Sequence, residues 1–373
     1  MLTQFCAELR RRGATLDELG RGTCKWENFG MFQRECWYVA MWSGELARAL
    51  KPLRMLGKDI VMYRTAVGEA VALEDACPHR KLPLSMGSLK EDRIVCGYHG
   101  LTFDGRGVCV AAPTQGRVPP NASVKRYPAA ERYGLVWVWM GKPENADESL
   151  IVDIPNYDSP AWGRTKGGDM PIACDYLYVV DNLLDPSHVA WVHLTSFAGA
   201  RTQDAPLSIS KGQNGVTVWR WIMATEPPAY YAPLLKFKGL VDRKQHYECV
   251  LPSFGINMSV YSPAGTGGPD KPLDPRAYIN VSYNFITPVD ADNSHYFWFQ
   301  HRNADPSDAD VSERMNAGAM AAFLEDRNVL EAVHKGMANK ETSNLDLSLD
   351  AGALQFRKLV KRRIEAEAAQ GRH

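Results

Sequence analysis

Two short stretches, "CPHR" at residues 77–80 and "CGYHG" at 96–100, constrain this chain more than anything else in it. The first offers Cys77 and His79 as Cys-x-His, the second Cys96 and His99 as Cys-x-x-His. Two such pairs so close in sequence are four candidate metal ligands, and a fold that carries them must bring two tight loops together.

Zinc is one occupant for two cysteines and two histidines, and a chance arrangement without metal is another. Zinc fingers, however, draw two cysteines from one segment and two histidines from another, whereas each loop here supplies one of each. That mixed supply suits a [2Fe–2S] cluster in which one iron takes two thiolates and the other two imidazoles. Neutral imidazoles in place of thiolates remove negative charge and make such a cluster easier to reduce. Gly97 and Gly100 allow the second loop to turn tightly, and Pro78 stiffens the first.

A cluster that only carries electrons needs far less chain than the 373 residues present, so a second domain is expected. Residues 1–30 read as a polar leader, either a loosely packed helix or a stretch upstream of a start at Met31. Residues 31–148 read as all-β, with apolar alternation in "KDIVMYRT" and "RYGLVWVWMG" and a turn signal at Asp104-Gly105. Residues 149–373 mix helical text ("CDYLYVVDNLLDPSHVAWVH", "SERMNAGAMAAFLEDRNVLEAVHK", "ALQFRKLVKRRIEAEAA") with strands such as "GVTVWRWIM", "INMSVYS", "YINVSYNFITP" and "HYFWFQH". The sum is an α+β architecture. Lys plus Arg and Asp plus Glu both number 43, which gives no reason to expect nucleic acid or an anionic membrane as partner. No apolar run is long enough to span a bilayer and the N-terminus lacks a secretory core, so a cytoplasmic protein is expected. Its eight scattered cysteines then read as free thiols or metal ligands.

The second domain holds a weaker metal signal. In "DNLLDPSHVAWVH", His188 and His193 lie five apart, which on a regular helix turns their side chains about 140° from each other. One metal takes both only where the helix is distorted. A carboxylate would complete a two-histidine, one-carboxylate face that leaves positions open for dioxygen. In "AAFLEDRNVLEAVHK", residues Ala319, Ala322, Phe323, Val329, Leu330 and Val333 form an apolar stripe at helical spacing with Asp326 in its middle. A carboxylate there must be paired or coordinated. A salt bridge is the alternative, and Glu325 sits at the stripe's edge. Asp185, three residues before His188, fits either orientation of that imidazole or the N-cap of a helix restarting at Pro186.

Taken together, "CPHR…CGYHG", "DNLLDPSHVAWVH" and "FLEDRNVLEAVHK" resemble the oxygenase (alpha) component of a Rieske non-heme iron oxygenase. Within that superfamily the chain is similar to vanillate O-demethylase and toluenesulfonate methyl-monooxygenase oxygenase subunits, from about Met31 to near the C-terminus. The resemblance implies an N-terminal all-β Rieske [2Fe–2S] domain and a C-terminal helix-grip (START-like) catalytic domain with an antiparallel sheet, assembled as a homotrimer. It implies His188, His193 and Asp326 as ligands of a mononuclear Fe(II), with Asn182 near that iron. It also implies that Asp185 bridges His99 of one subunit to His188 of the next. Pro186, where relatives often carry another residue, is a departure, and so is the leader.

The function so implied is the terminal oxygenase of an aromatic monooxygenase, demethylating or hydroxylating a methoxy- or methyl-substituted aromatic acid with O2. Its electrons would come from NAD(P)H through a separate reductase carrying flavin and a [2Fe–2S] centre, as the chain has no dinucleotide fingerprint. A phthalate-type ring hydroxylase (dioxygenase) is the alternative within the same chemistry. An electron-transfer protein with a degenerate second domain is the alternative outside it, and intact His188, His193 and Asp326 weigh against that. Arg220, Asn257, Ser259, Tyr296 and Trp298 lie on strands placed to line a substrate pocket, Arg220 as partner for an acidic group, although each also reads as an ordinary sheet residue. The residues do not single out the aromatic compound or the reductase.

Overall fold

The structure is a computed structural model that describes residues 31–193 and 205–370, so the leader lies outside the described residues. The first half is built from short strands: β1 (Trp37–Trp42), β2 (Lys51–Met55), β3 (Lys58–Arg64), β4 (Ala70–Glu74), β5 (Ser88–Lys90), β6 (Arg93–Val95), β7 (Thr102–Phe103), β8 (Cys109–Ala111), β9 (Arg126–Tyr127), β10 (Ala129–Arg132) and β11 (Leu135–Trp139). They form three antiparallel sheets, β1-β11-β10, β2-β3-β4-β9 and β5-β6-β7-β8. Alternation along β3 explains the layering. Val61 and Tyr63 join Ile94 and Phe103 in one core, while Ile60 and Met62 face a second core with Tyr38, Met41, Val136 and Val138. The turn expected at Asp104-Gly105 is present. Its left-handed residue is Gly107 (φ 80°), and the Asp104 carboxylate accepts the backbone N–H groups of Arg106 and Val108.

The second half contains β12 (Gly163–Arg164), β13 (Gly168–Ile172), β14 (Ser208–Lys211), β15 (Gly215–Thr225), β16 (Val241–Val250), β17 (Phe254–Pro263), β18 (Tyr278–Pro288) and β19 (Ser294–Arg302). They make an eight-stranded antiparallel sheet in the order β12-β19-β18-β17-β16-β15-β14, with β13 also on β19. Helices α1 (Tyr176–Leu183), α2 (Val189–Val192), α3 (Ala309–Gly336) and α4 (Ala351–Gln370) accompany it. Asp175 and Asp308 cap α1 and α3 with their side chains. None of the helices is long and apolar enough to cross a membrane among the described residues.

The large sheet is covered on both faces, which decides where a site can form. Val281, Tyr283, Phe285, Phe297 and Phe299 pack on one face against Trp37, Trp137 and Trp139 of the first half. The Thr287 hydroxyl seals that contact by donating to the Val39 carbonyl at 2.6 Å. The opposite face meets α1, α3 and α4. The stripe expected on α3 is only partly buried there: Ala319, Ala322 and Leu330 are inside with Asp326, whereas Val329 and Val333 are exposed.

Candidate metal centres and substrate cavity

The two Cys/His loops are built alike. Each cysteine N–H donates to the carbonyl five residues on, Cys77 to Leu82 at 2.9 Å and Cys96 to Leu101 at 2.8 Å. Each cysteine carbonyl accepts from the N–H four residues on, of Lys81 at 2.8 Å and Gly100 at 3.1 Å. Those fourth residues both have positive φ, 59° at Lys81 and 75° at Gly100, so a lysine fills in the first loop the place that glycine fills in the second. The thiols of Cys77 and Cys96 are buried within hydrogen-bonding reach of each other, whereas His79 is exposed and His99 half-buried. The Nδ1 atoms of His79 and His99 lie 3.1 Å apart. Burial and the neighbouring Cys96 push the Cys77 thiol above its ordinary pKa. Two thiols side by side in an apolar core are stabilised as thiolates by bound cations. These four donors fit a cluster held by sulfur within and by imidazole toward the surface.

In the second half, the chain between α1 and α2 breaks the helix that the sequence spacing forbids to be regular. His188 precedes the four-residue α2 and His193 follows it, with non-helical φ −102° and ψ 45°. Their rings thereby turn toward each other with centroids 5.3 Å apart. Asp326, buried on α3, completes the group: one ligand atom from each of the three residues lies within 4.8 Å of the others. Both Nε2 atoms face the same carboxylate oxygen, Asp326 Oδ1, at 3.5 Å from His188 and 3.3 Å from His193.

The opposite ring nitrogens are engaged. His188 Nδ1–H donates to the Asp185 backbone carbonyl (2.5 Å) and His193 Nδ1–H to Glu325 Oε2 (2.8 Å), which leaves each Nε2 to the centre. Burial opposes a charge on His193, but the carboxylates of Asp326 and Glu325 outweigh it and hold its pKa above the ordinary value. A site with that excess of acid over base fits a divalent cation, and two imidazoles with one carboxylate on one side fit iron with open positions. Asp185 serves both the ring and the start of the helix, the two roles open to it. The ring is held by its main-chain oxygen, while its carboxylate caps the N–H groups of Ser187 and His188 at 2.7 and 3.2 Å. Asn182 donates from Nδ2 to Asp326 Oδ1 at 3.2 Å. Glu325, set aside in the sequence reading, is the residue that reasoning missed; its position beside Asp326, at the edge of the stripe, was the available signal.

A cavity of about 90 Å³ opens beside this triad, between α3 and the inner face of β16–β19. Asn182, His188, His193 and Asp326 line it, as do Asn257 and Ser259 from the sequence reading. The other three residues expected there do not. Arg220 is buried behind the histidine loop, donating from Nη2 to the Pro186 carbonyl (2.9 Å) and from Nε to Gln245 (2.7 Å). The Tyr296 hydroxyl donates to Asn284 (2.8 Å), and Trp298 packs edge-on against Phe323. These three support the wall and do not form it. Arg243, Asn280, Ser282, Asn284 and Gln300 line the cavity and were not anticipated. In "YINVSYNF" the polar residues at alternate positions look like a solvent face, because the apolar alternates already account for one buried side.

Both halves of the chain match known protein families. The Rieske [2Fe-2S] domain model matches residues 36–128 and the vanillate O-demethylase oxygenase C-terminal domain model matches 172–366. The chain is 36% identical over 342 residues to the iron-sulfur subunit of the toluene-4-sulfonate monooxygenase system of Comamonas testosteroni, covering 90% of this chain and 98% of that one. It is 36% identical over 345 residues to the vanillate O-demethylase oxygenase subunit of Pseudomonas sp. strain HR199, covering 90% and 96%. The crystal structure of dicamba monooxygenase bound to 3,6-dichlorosalicylic acid superposes with a TM-score of 0.83 at 29% identity, covering 91% of this chain and 99% of that one.

Proposed function

We propose, because this chain belongs to the family of Rieske-type oxygenase components that carry a vanillate O-demethylase oxygenase C-terminal domain, that it removes or hydroxylates a methyl group on a small aromatic acid. It is an oxidoreductase that works with a Rieske [2Fe–2S] cluster and a mononuclear non-heme iron, as one component of a system that also needs a reductase. The relatives support monooxygenation over the dioxygenase alternative. In this reading Cys77, His79, Cys96 and His99 hold the cluster, and His188, His193 and Asp326 hold the iron. The convergence of the last three on one side of a cavity is the observation that carries it.

The chemistry the metals supply when bound is single-electron delivery by the cluster and dioxygen activation at the iron. The chain's own part is positional. Asp185 and Glu325 fix the two imidazoles, Asn182 steadies the Asp326 carboxylate, and the cavity wall holds the reacting carbon while keeping bulk water out. Oxygen insertion into a methoxy C–H bond gives a hemiacetal that releases formaldehyde and a phenol, whereas insertion at a methyl carbon gives an alcohol. The reductase carries flavin and a [2Fe–2S] centre in this proposal, and the oxygenase is a homotrimer in which Asp185 links His188 to His99 of the next subunit.

The test is a formaldehyde assay with the full chain, NADH, a reductase of that class and a panel of methoxylated and methylated aromatic acids. Formaldehyde formed in step with NADH and O2 consumption is expected. Substrate-stimulated O2 uptake that yields only ring-hydroxylated diols overturns the proposal in favour of the dioxygenase.

A further inference from the structure

Among the described residues, the cavity is lined by many hydrogen-bonding side chains but very few charges. Among the described lining residues Asp326 is the only carboxylate and Arg243 the only lysine or arginine. Arg243 is 2% exposed and stacks over the Tyr261 ring, with its guanidinium carbon 5.6 Å from the centroid. Arg243 pairs with Tyr261 across the β16–β17 ladder, while Tyr247, four residues further on, pairs with Asn257, which bonds the Leu183 carbonyl at 3.1 Å next to Asn182. At about 3.3 Å per residue, the backbone of Arg243 lies roughly 13 Å along the strand from Tyr247. The backbone of Arg243 therefore joins the cavity wall at a different point along β16 from the position that pairs with Asn257 beside Asn182.

The neutral groups nearest the triad are committed to each other. Asn284 receives the Tyr296 and Ser282 hydroxyls at 2.8 and 3.0 Å and donates to Asn257 at 3.3 Å, so the amides at this end are already paired with neighbours. Further from it, Asn280 Oδ1 and Gln300 Oε1 are buried in the wall without a hydrogen bond among the described residues. Such a wall fits a polar ligand better than a hydrocarbon.

We propose that Arg243 binds the anionic group of the substrate and thereby points the opposite end of the aromatic ring at the metal triad. The inference rests on the reading of the enzyme as acting on an aromatic acid, and it adds the residue that selects the acid. A guanidinium fork matches a planar carboxylate or one edge of a sulfonate, and an amide of the same shape lacks the charge.

The experiment compares full-chain, metal-loaded wild type with Arg243→Met and Arg243→Lys, using calorimetric titration with 4-methoxybenzoate, benzenesulfonate and neutral 4-methoxybenzamide. Wild type is expected to bind the acids about 10- to 100-fold more tightly than the amide, the range of a charge-assisted hydrogen-bonded pair. Arg243→Met is expected to bring that ratio close to one, with the absorption of the cluster confirming an intact fold. Should Arg243→Met fail to fold, Arg243→Lys carries the test, with an expected loss of about 3- to 10-fold in the ratio. A wild type without preference for the acids, or a variant that keeps the full preference, overturns the proposal. Binding is read without turnover, so the two readings fail separately. Acid preference without any demethylation removes the proposed reaction alone, and demethylation with unchanged selectivity in the variant removes Arg243 alone.

Discussion

Glu325 Oε2 lies 2.8 Å from Nδ1 of His193, and its neighbour in sequence, Asp326, lies 3.3 Å from Nε2 of the same ring. Two consecutive carboxylates on α3 thus grip one imidazole from both sides. Replacing Glu325 by Ala is expected to lower affinity for the mononuclear iron by about 10- to 100-fold, because the ring loses its orientation and basicity while the ligand stays. Iron titration of the variant checks this. Retained affinity would show the contact to be incidental.

Asp326→Asn removes the negative charge on which both Nε2 atoms converge. The variant is expected to lose about one iron per chain and essentially all oxygenase activity, while keeping the absorption spectrum of the cluster. Iron and sulfide analysis beside the visible spectrum distinguishes the two centres. Loss of both would mean that Asp326 supports the whole fold.

Arg220 acts on the site from behind, through its bond to the Pro186 carbonyl between α1 and His188. Arg220→Met leaves that carbonyl and Gln245 without their donor, a cost of about 2–4 kcal/mol in denaturant unfolding. Substrate affinity is expected to fall less than iron affinity, since Arg220 does not line the cavity. A variant altered in substrate affinity alone would contradict this placement.

His301 faces the first half from β19, ringed by Tyr157, Tyr283 and Phe299, and burial together with Arg164 lowers its pKa to about 4. The native state therefore binds this proton less readily than the unfolded chain, whose imidazole titrates near 6.5. The stability it contributes is present above pH 6.5 and is lost as pH falls toward 4, on the order of 3 kcal/mol. His301→Gln is expected to flatten that part of the curve of melting temperature against pH. An unchanged slope would assign the acid sensitivity to other groups.

The candidate metal donors were legible because their chemistry is local. Cys77, His79, Cys96 and His99 stand at spacings that only a tight loop serves, and the loops bear this out in their matching hydrogen bonds. His188 and His193 were legible together with the need for a broken helix, since a regular one separates them. Asp326 was legible from its place in an apolar stripe, although Val329 and Val333 of that stripe face solvent.

The cavity wall was not legible. Whether Asn280, Ser282 and Asn284 meet water or a substrate depends on what covers the other face of β18, and that cover comes from Trp37, Trp137 and Trp139, more than a hundred residues away. Period-two alternation states that a strand has two faces and not which of them is enclosed. The sequence by itself therefore determined which side chains are the candidate metal donors. The packing of two domains on one sheet decided which residues surround the substrate, and it turned Arg220 into a support and Arg243 into a charge in the cavity wall, because enclosure belongs to no single element.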